Sequence, residues 1–151
     1  MTFGGAVPFA TRADFRAEQF KPTPWDTEHE KASFANWLVE FVCKGFSAPD
    51  FTARRYKQLS NLFGHIAHYD RTGFFYEWFR DIHAQLRFVA NIRETRPAPD
   101  TAHTWGDVER ALKRWVDHEG VYEALLAVQR AAIEHEERAT LARLRAKYGD
   151  E

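Results

Sequence analysis

The sequence predicts an all-α fold, a bundle of about five helices with an extended N-terminal arm and a long C-terminal helix. Apolar residues recur at spacings of three and four through most of residues 27 to 148, which is the period of a helix buried on one side. No stretch shows sustained alternation of β-branched residues, and there is no Asn-Gly or Asp-Gly turn. Because these are the usual signals of strands and hairpins, the sequence does not favour a sheet.

Two regions differ in composition. Residues 1–26 combine Gly and Pro with spaced Phe rings, which predicts an extended arm held by its rings, with a short helical turn at 11–19. Residues 27–151 carry the helical period, and their number suits one helical domain with one core.

The first two helices follow from cap signals. Thr27 with Glu30 three residues later is a capping-box pattern, which begins a first helix at about 28–44. Asp50 is the predicted cap of a second helix that continues to about residue 69.

The remaining helices are separated by turns. Residues 70–73 are predicted to be a turn, followed by a third helix at about 74–94 that ends before a Pro-rich loop. Thr104 is the predicted start of a fourth helix, which ends near Gly120. The last helix, about 121–148, contains neither Gly nor Pro.

Overall charge argues against bulk attraction to nucleic acid or anionic membranes. The formal net charge is −1 and the isoelectric point is about 6.7. Within the chain, residues 51–96 carry +4, whereas the segments before and after carry −2 and −3. The middle segment, which is also rich in aromatic rings, is therefore the candidate basic surface.

The sequence also favours a cytoplasmic protein. Its one cysteine, Cys43, cannot form an intramolecular disulfide or a cysteine-cluster metal site, which suits a reducing compartment. The first residues lack the basic start and apolar run of a secretory signal. No run of 18 apolar residues is present, so no membrane contact is expected.

A helical wheel of the second helix predicts a donor-rich polar ridge opposite the buried side. A second polar stripe is predicted on the third helix, where it also includes Asn91. The candidate binding residues on the two are Arg54, Gln58, Asn61, His65, His68, Arg80, His83 and Arg87.

Three interpretations of this surface are open. It could be an ordinary solvated face, since these residue types are normal there. It could bind an acidic surface or a protein partner. It could also contact the phosphates of a nucleic acid, for which the candidate residues are Arg54, Arg55, Lys57, Arg80 and Arg87.

A metal site is a weaker alternative. His65 and His68 are three apart and could both reach one ion, but zinc needs a third and usually a fourth ligand, and the spacing selects none. The candidates near in sequence are Asp70, Glu77, Asp81 and His83. A metal-dependent hydrolase centred on the two histidines is thus one hypothesis, although no motif specifies a reaction or a cofactor.

The last helix is apolar on two sides, which indicates either a central helix or one shared with another chain. Its heavily charged second half keeps apolar residues at three-and-four spacing, a pattern typical of a projecting arm that pairs with a second copy or a target. Folding back onto its own bundle is the alternative. The candidate association residues are Leu126, Ile133, Leu141, Leu144 and Tyr148.

The leading hypothesis is a small cytoplasmic helical protein that acts by protein contact, as an adaptor or inhibitor, and catalyses no reaction. Its basis is the two-sided last helix and the basic aromatic middle segment, together with the lack of a reaction motif. Binding of nucleic acid and metal-dependent hydrolysis are the two alternatives.

Overall fold

A computed structural model describes residues 13–62 and 69–149, and within these residues the chain is all-helical, with no strand. The predicted fold class is confirmed: the helices form a bundle with a long C-terminal helix. In the described part of the chain they are accompanied by 3₁₀ turns at Ala17–Gln19 and Ala48–Asp50. The helices are α1 (Glu28–Cys43), α2 (Ala53–Leu59), α3 (Arg71–Phe79), α4 (Ile82–Glu94), α5 (Gly106–His118) and α6 (Val121–Tyr148).

The described part of the N-terminal segment, residues 13–26, lies against α1. The backbone N–H of Phe15 donates to Asn36 Oδ1 at 2.7 Å, and Asn36 Nδ2 donates back to the Phe15 carbonyl at 2.9 Å. Phe20 is buried in the core. One amide side chain and one ring therefore fix the path by which the chain enters α1.

Helix α1 begins at the predicted capping box. Thr27 Oγ1 accepts from the Glu30 N–H at 3.1 Å, and Glu30 Oε1 accepts from the Thr27 N–H at 3.0 Å. The helix ends before Gly45, which has a φ of 82°. Since glycine adopts this left-handed conformation without steric cost, Gly45 ends the helix where the sequence predicts.

The prediction for the second helix is wrong at both ends. The cap is Thr52, whose hydroxyl accepts from the Arg55 N–H, whereas Asp50 belongs to the preceding 3₁₀ turn. The helix ends at Leu59 because Ser60 and the following Asn61 bond back to carbonyls three residues earlier. Short polar side chains of this kind compete with the helical ladder. Residues 63–68 lie outside the described part.

The predicted third helix is two helices. Asp70, expected in a turn, instead caps α3, with its carboxylate accepting from the Gly73 N–H at 2.6 Å. Asp81 has an extended backbone and caps α4 by accepting from the Ala84 N–H at 2.9 Å. Gln85 Nε2 donates to the carbonyl of Phe79 at 2.9 Å, so the break leaves that carbonyl satisfied.

Substitution of Asp81 with Ala is expected to lower the free energy of unfolding by about 0.5–2 kcal/mol, the usual cost of losing an N-cap acceptor. Chemical denaturation followed by circular dichroism measures the change. Asp81→Asn is the matched control, because its side-chain oxygen also caps, and it should lose only a few tenths of a kcal/mol. Equal losses for the two variants would show that the cap is not what Asp81 contributes.

Helix α5 begins two residues later than predicted. Trp105 occupies the cap position and makes no side-chain cap bond. The hydroxyl of Thr104 accepts from the Gly106 N–H and donates to the carbonyl of Asp100, so Thr104 stabilises the preceding loop. A Cβ at Gly106 would lie 1.9 Å from the Ala98 carbonyl oxygen. Only glycine fits where the loop crosses the start of the helix.

The core is built on aromatic rings between α1, α3 and α4. Phe41, Phe79 and Phe88 are fully or almost fully buried, and the rings of Phe79 and Phe88 lie 4.8 Å apart. Helix α4 packs against α3, α5 and α6, while α5 contacts α1 and α6. Among the described residues, no helix is both long and apolar enough to cross a membrane.

Candidate functional site

Within the described part of the chain, helix α6 is anchored in the bundle by its first turns. Val121 and Leu125 are fully buried against α4 and α5. On the flank of this anchor, the guanidinium of Arg93 lies 4.2 Å from the ring centroid of Tyr122 and 3.2 Å from a carboxylate oxygen of Glu123. These contacts orient α6 where it leaves the bundle.

Beyond the anchor, every residue from Ile133 to Gly149 is exposed. The helical part of this segment, residues 133–148, spans about 24 Å at 1.5 Å per residue. We call residues 133–148 the α6 arm. No residue of the α6 arm is buried or half-buried. The arm therefore does not fold back onto its own bundle, which was the alternative interpretation.

The α6 arm presents a stripe of large apolar side chains. Ile133 is 52% exposed, Leu141 49%, Leu144 38% and Tyr148 69%. At about 100° per residue these four fall within an arc of about 80°. Leu126, also predicted as an association residue, lies on the same side of α6 but is half-buried at the edge of the bundle. The side of α6 that packs on the bundle in the first turns is therefore also the apolar side of the arm, where it is exposed to solvent.

The structure does not form the predicted donor-rich ridge on α2 as one surface. Gln58 is buried, where it accepts from Arg55 Nη1 at 2.9 Å, so its placement on a solvated ridge is wrong. Asn61 is exposed but lies in the turn after the helix. The error arises because the helical wheel assumed one helix to residue 69, whereas α2 ends at Leu59. Arg54 is exposed on α2, while His65 and His68 lie outside the described residues.

The predicted residues of the second stripe are exposed but lie on two helices. Arg80, at the end of α3, stacks 4.5 Å from the Tyr76 ring centroid and lies 3.4 Å from Asp81 Oδ2. Arg87 on α4 lies 3.4 Å from Glu77 Oε1 and 4.9 Å from the Trp78 ring centroid. His83 is exposed in the first turn of α4.

The cations of the nucleic-acid hypothesis are thus partly matched within the protein. Arg55 donates to Ser33 and Gln58. The pKa of Arg55 is lowered, mainly by burial and to a smaller extent by the nearby charge of Arg54. Arg80 and Arg87 each lie beside a carboxylate. Arg54 and Lys57 are the exposed remainder on α2. This arrangement reduces the local positive field available to a phosphate backbone.

A groove that the sequence did not predict lies beside α3. It is open, with a volume of about 610 Å³, and combines an aromatic floor with hydroxyls and two guanidiniums. In the sequence it is indicated only by Arg71 and Arg80, which flank the rings of Phe75 and Tyr76. It is lined by Ala48, Pro49, Phe51, Thr52, Arg71, Thr72, Phe75, Tyr76 and Arg80. We call it the α3 groove, and its lining suits an acidic segment of another chain.

The metal and catalytic candidates find little support in the described residues. Asp70 and Asp81 serve as helix caps and Glu77 pairs with Arg87. No group of three metal-ligating side chains occurs within residues 13–62 and 69–149. His65 and His68 lie outside these residues.

One carboxyl does show a perturbed pKa. Burial raises the pKa of Glu109, partly offset by a hydrogen bond from Thr95 and by the charge of Arg110. The adjoining cavity holds only about 20 Å³, room for about one water molecule and too little for a substrate. Glu109 is therefore better explained by packing than by catalysis.

Among the described residues, two surfaces of different chemistry are candidates for contact with another molecule. The α6 arm offers an apolar stripe between charged flanks, and the α3 groove offers cations over aromatic rings. Comparison with known proteins adds no further constraint on either. No protein-family model, curated protein or solved structure matches this chain.

Proposed function

We propose that the protein acts by contact with other protein chains, as a non-catalytic adaptor or inhibitor of the cytoplasm, and that the α6 arm is its principal contact surface. The observation that carries this proposal is the stripe of Ile133, Leu141, Leu144 and Tyr148, four large apolar side chains exposed together on one helix. Scattered apolar residues are normal on a surface, whereas an aligned set marks a contact site.

Energetics favour covering this stripe. Full burial of a side chain of this kind contributes about 1.5–3 kcal/mol. In addition, most helical stability in proteins comes from tertiary packing, and an isolated helix of this length is marginal in water. The α6 arm has no such packing in the described residues. A partner laid along the stripe would supply both the burial and the missing support.

The α3 groove gives the same protein a second kind of contact. Arg71 and Arg80 stand at a surface floored by Phe75 and Tyr76. None of the lining residues is acidic, although Arg80 also lies beside the carboxylate of Asp81 at the edge of the groove. An extended acidic segment would match this chemistry, since guanidiniums pair with carboxylates and stack on rings. Two surfaces that differ in this way suit an adaptor, which holds two partners at once.

The test compares the proteins captured from the source cells by the tagged chain and by two double variants. Ile133→Glu with Leu144→Glu places charges within the stripe. Ala139→Glu with Ala146→Glu adds the same charges to exposed positions about 180° away on the helix and is the matched control. We expect proteins other than the chain itself to be captured by the wild type and the control, and lost from the stripe variant.

An identical set of captured proteins for all three chains would contradict the proposal. Circular dichroism of each variant excludes a general loss of folding, which is not expected because all four positions are exposed. Co-elution of a captured protein with the purified chain at fixed stoichiometry then establishes direct contact.

A further inference from the structure

The charges of the α6 arm follow an order along the helix. The first part carries Glu134, Glu136 and Glu137, and the last part carries Arg143, Arg145 and Lys147. Arg138, between the two groups, pairs with Glu134 on the same helix. The arm is therefore acidic where it leaves the bundle and basic toward its far end.

We propose that the α6 arm pairs with the α6 arm of a second copy of this chain, side by side and antiparallel. The inference rests on the proposed function, that the arm acts by protein contact, and it adds a second copy of the chain as an occupant of the same stripe. In an antiparallel pair the acidic part of each arm faces the basic part of the other, and two-fold symmetry makes both ends alike. A parallel pair would oppose like charges, which is unfavourable.

The apolar stripe supports the same arrangement. If Ile133 lies opposite Tyr148 of the second copy, then Glu134 lies opposite Lys147, and Leu141 lies near the two-fold axis. Ile133 and Tyr148 of the two copies then meet at both ends of the overlap, and the two Leu141 side chains lie near its centre. Leu144 lies opposite Glu137, the one charged residue within the stripe, and the other charged residues lie on its flanks, as in a short coiled coil. One register thus brings together the apolar ends of the stripe and the oppositely charged ends of the two arms.

The overlap also fits the length of the exposed helix. In this register the end of α6 in one copy reaches the point where the other copy's helix leaves its bundle, near Ala132. The two bundles would stand at opposite ends of the paired arms. All of the exposed stripe is then covered.

The expected affinity is modest. The paired segments are about 24 Å long and contribute four large apolar side chains each. Interfaces of this small size are typical of transient assemblies, so we expect a dissociation constant of roughly 1–100 μM. Salt should weaken the pairing, because the flanking charges are exposed to solvent.

Sedimentation velocity of the full chain over about a hundredfold range of concentration is the first test, and it should show conversion of monomer to dimer. Two triple variants then exchange the charges. One carries Glu134→Lys, Glu136→Lys and Glu137→Lys, and the other carries Arg143→Glu, Arg145→Glu and Lys147→Glu. Each alone should be monomeric, since the arm of the first variant carries only basic residues and that of the second only acidic residues apart from Arg138, and an equimolar mixture should form mixed dimers.

Orientation is tested with cysteines. Cys43, the native cysteine, is buried, so Ile133→Cys and Tyr148→Cys introduce accessible thiols at the two ends of the arm. After mild oxidation of a mixture in which one variant carries a size tag, the antiparallel pair should yield mainly the mixed disulfide. Two self-linked products in place of the mixed one would indicate parallel pairing and overturn the proposal.

A chain that stays monomeric at every concentration, with the circular dichroism of an intact helix, would also overturn it. That outcome would leave the proposed function open to its own test, because a foreign partner could still depend on the stripe. Conversely, dimers with no captured protein other than the chain itself would support self-pairing and contradict an adaptor role. The two failures are therefore distinct.

Discussion

Substitution of Lys31 with Met is expected to lower the free energy of unfolding by about 3–5 kcal/mol, as removal of one partner from a buried ion pair commonly does. The Lys31 side chain is fully buried. Its ammonium donates to the carbonyls of Thr101 and Thr104 at 3.0 and 2.9 Å, and to the Asp107 carboxylate at 3.0 Å. Methionine keeps most of the apolar stem but leaves these three acceptors without their donor.

The same lysine joins three parts of the bundle. It connects α1 to the loop before α5 and to the first turn of α5, while Asp107 also accepts from the backbone N–H of Lys21 at 3.0 Å. Lys113→Met is the matched control, since Lys113 Nζ donates to a single backbone carbonyl, that of Thr95. The Lys113→Met variant should lose about 1 kcal/mol of the free energy of unfolding. Denaturant titrations measure the stability of both variants. Equal losses of stability would show that the buried contacts of Lys31 stabilise the fold no more than the single hydrogen bond of Lys113.

Substitution of Phe41 with Ala should be about as damaging, at about 3–5 kcal/mol, because truncation of a buried Phe adds a cavity to the lost transfer free energy. Phe41 is fully buried. Its ring centroid lies 4.9 Å from that of Trp37, 5.4 Å from that of Phe46 and 5.0 Å from that of Phe79. Neighbouring rings are too stiff to fill the space that the substitution leaves.

Tyr76→Ala is the matched control for Phe41→Ala. It removes a ring of similar size from α3, but Tyr76 is exposed beside the α3 groove. The Tyr76→Ala variant should lose only about 0.5 kcal/mol of the free energy of unfolding, as for most surface positions. Thermal melts and denaturant titrations of both variants compare them. A loss at Phe41 no greater than that at Tyr76 would contradict the assignment of the aromatic cluster as the core.

Much of the architecture follows from local signals in the sequence. The capping box of Thr27 and Glu30, the glycine after α1 and the unbroken period of α6 each act within one turn of helix, so they can be recognised without the fold. The break at Asp81 could not be recognised in this way. The apolar period continues through it, and whether an Asp caps a new helix or faces solvent depends on tertiary contacts such as Gln85 to Phe79.

The candidate surfaces show the same division. The stripe of the α6 arm was predictable, since residues on one side of a continuous helix are fixed by spacing alone. The ridge through Gln58 and Asn61 was not, because its geometry assumed a helix that ends at Leu59. The α3 groove joins residues before α2 to residues of α3. Such a surface depends on the packing of separate elements, which the spacing of residues does not encode.

The central claim is that the α6 arm extends from the bundle and is covered by a protein partner. Hydrogen–deuterium exchange of the pure protein, followed by mass spectrometry of peptides from residues 133–148, tests it most directly. In dilute protein these amides should exchange much faster than those of α1, and they should gain protection as protein or a captured partner is added. Slow exchange in dilute protein, equal to that of α1, would place the arm against its own bundle and contradict the claim.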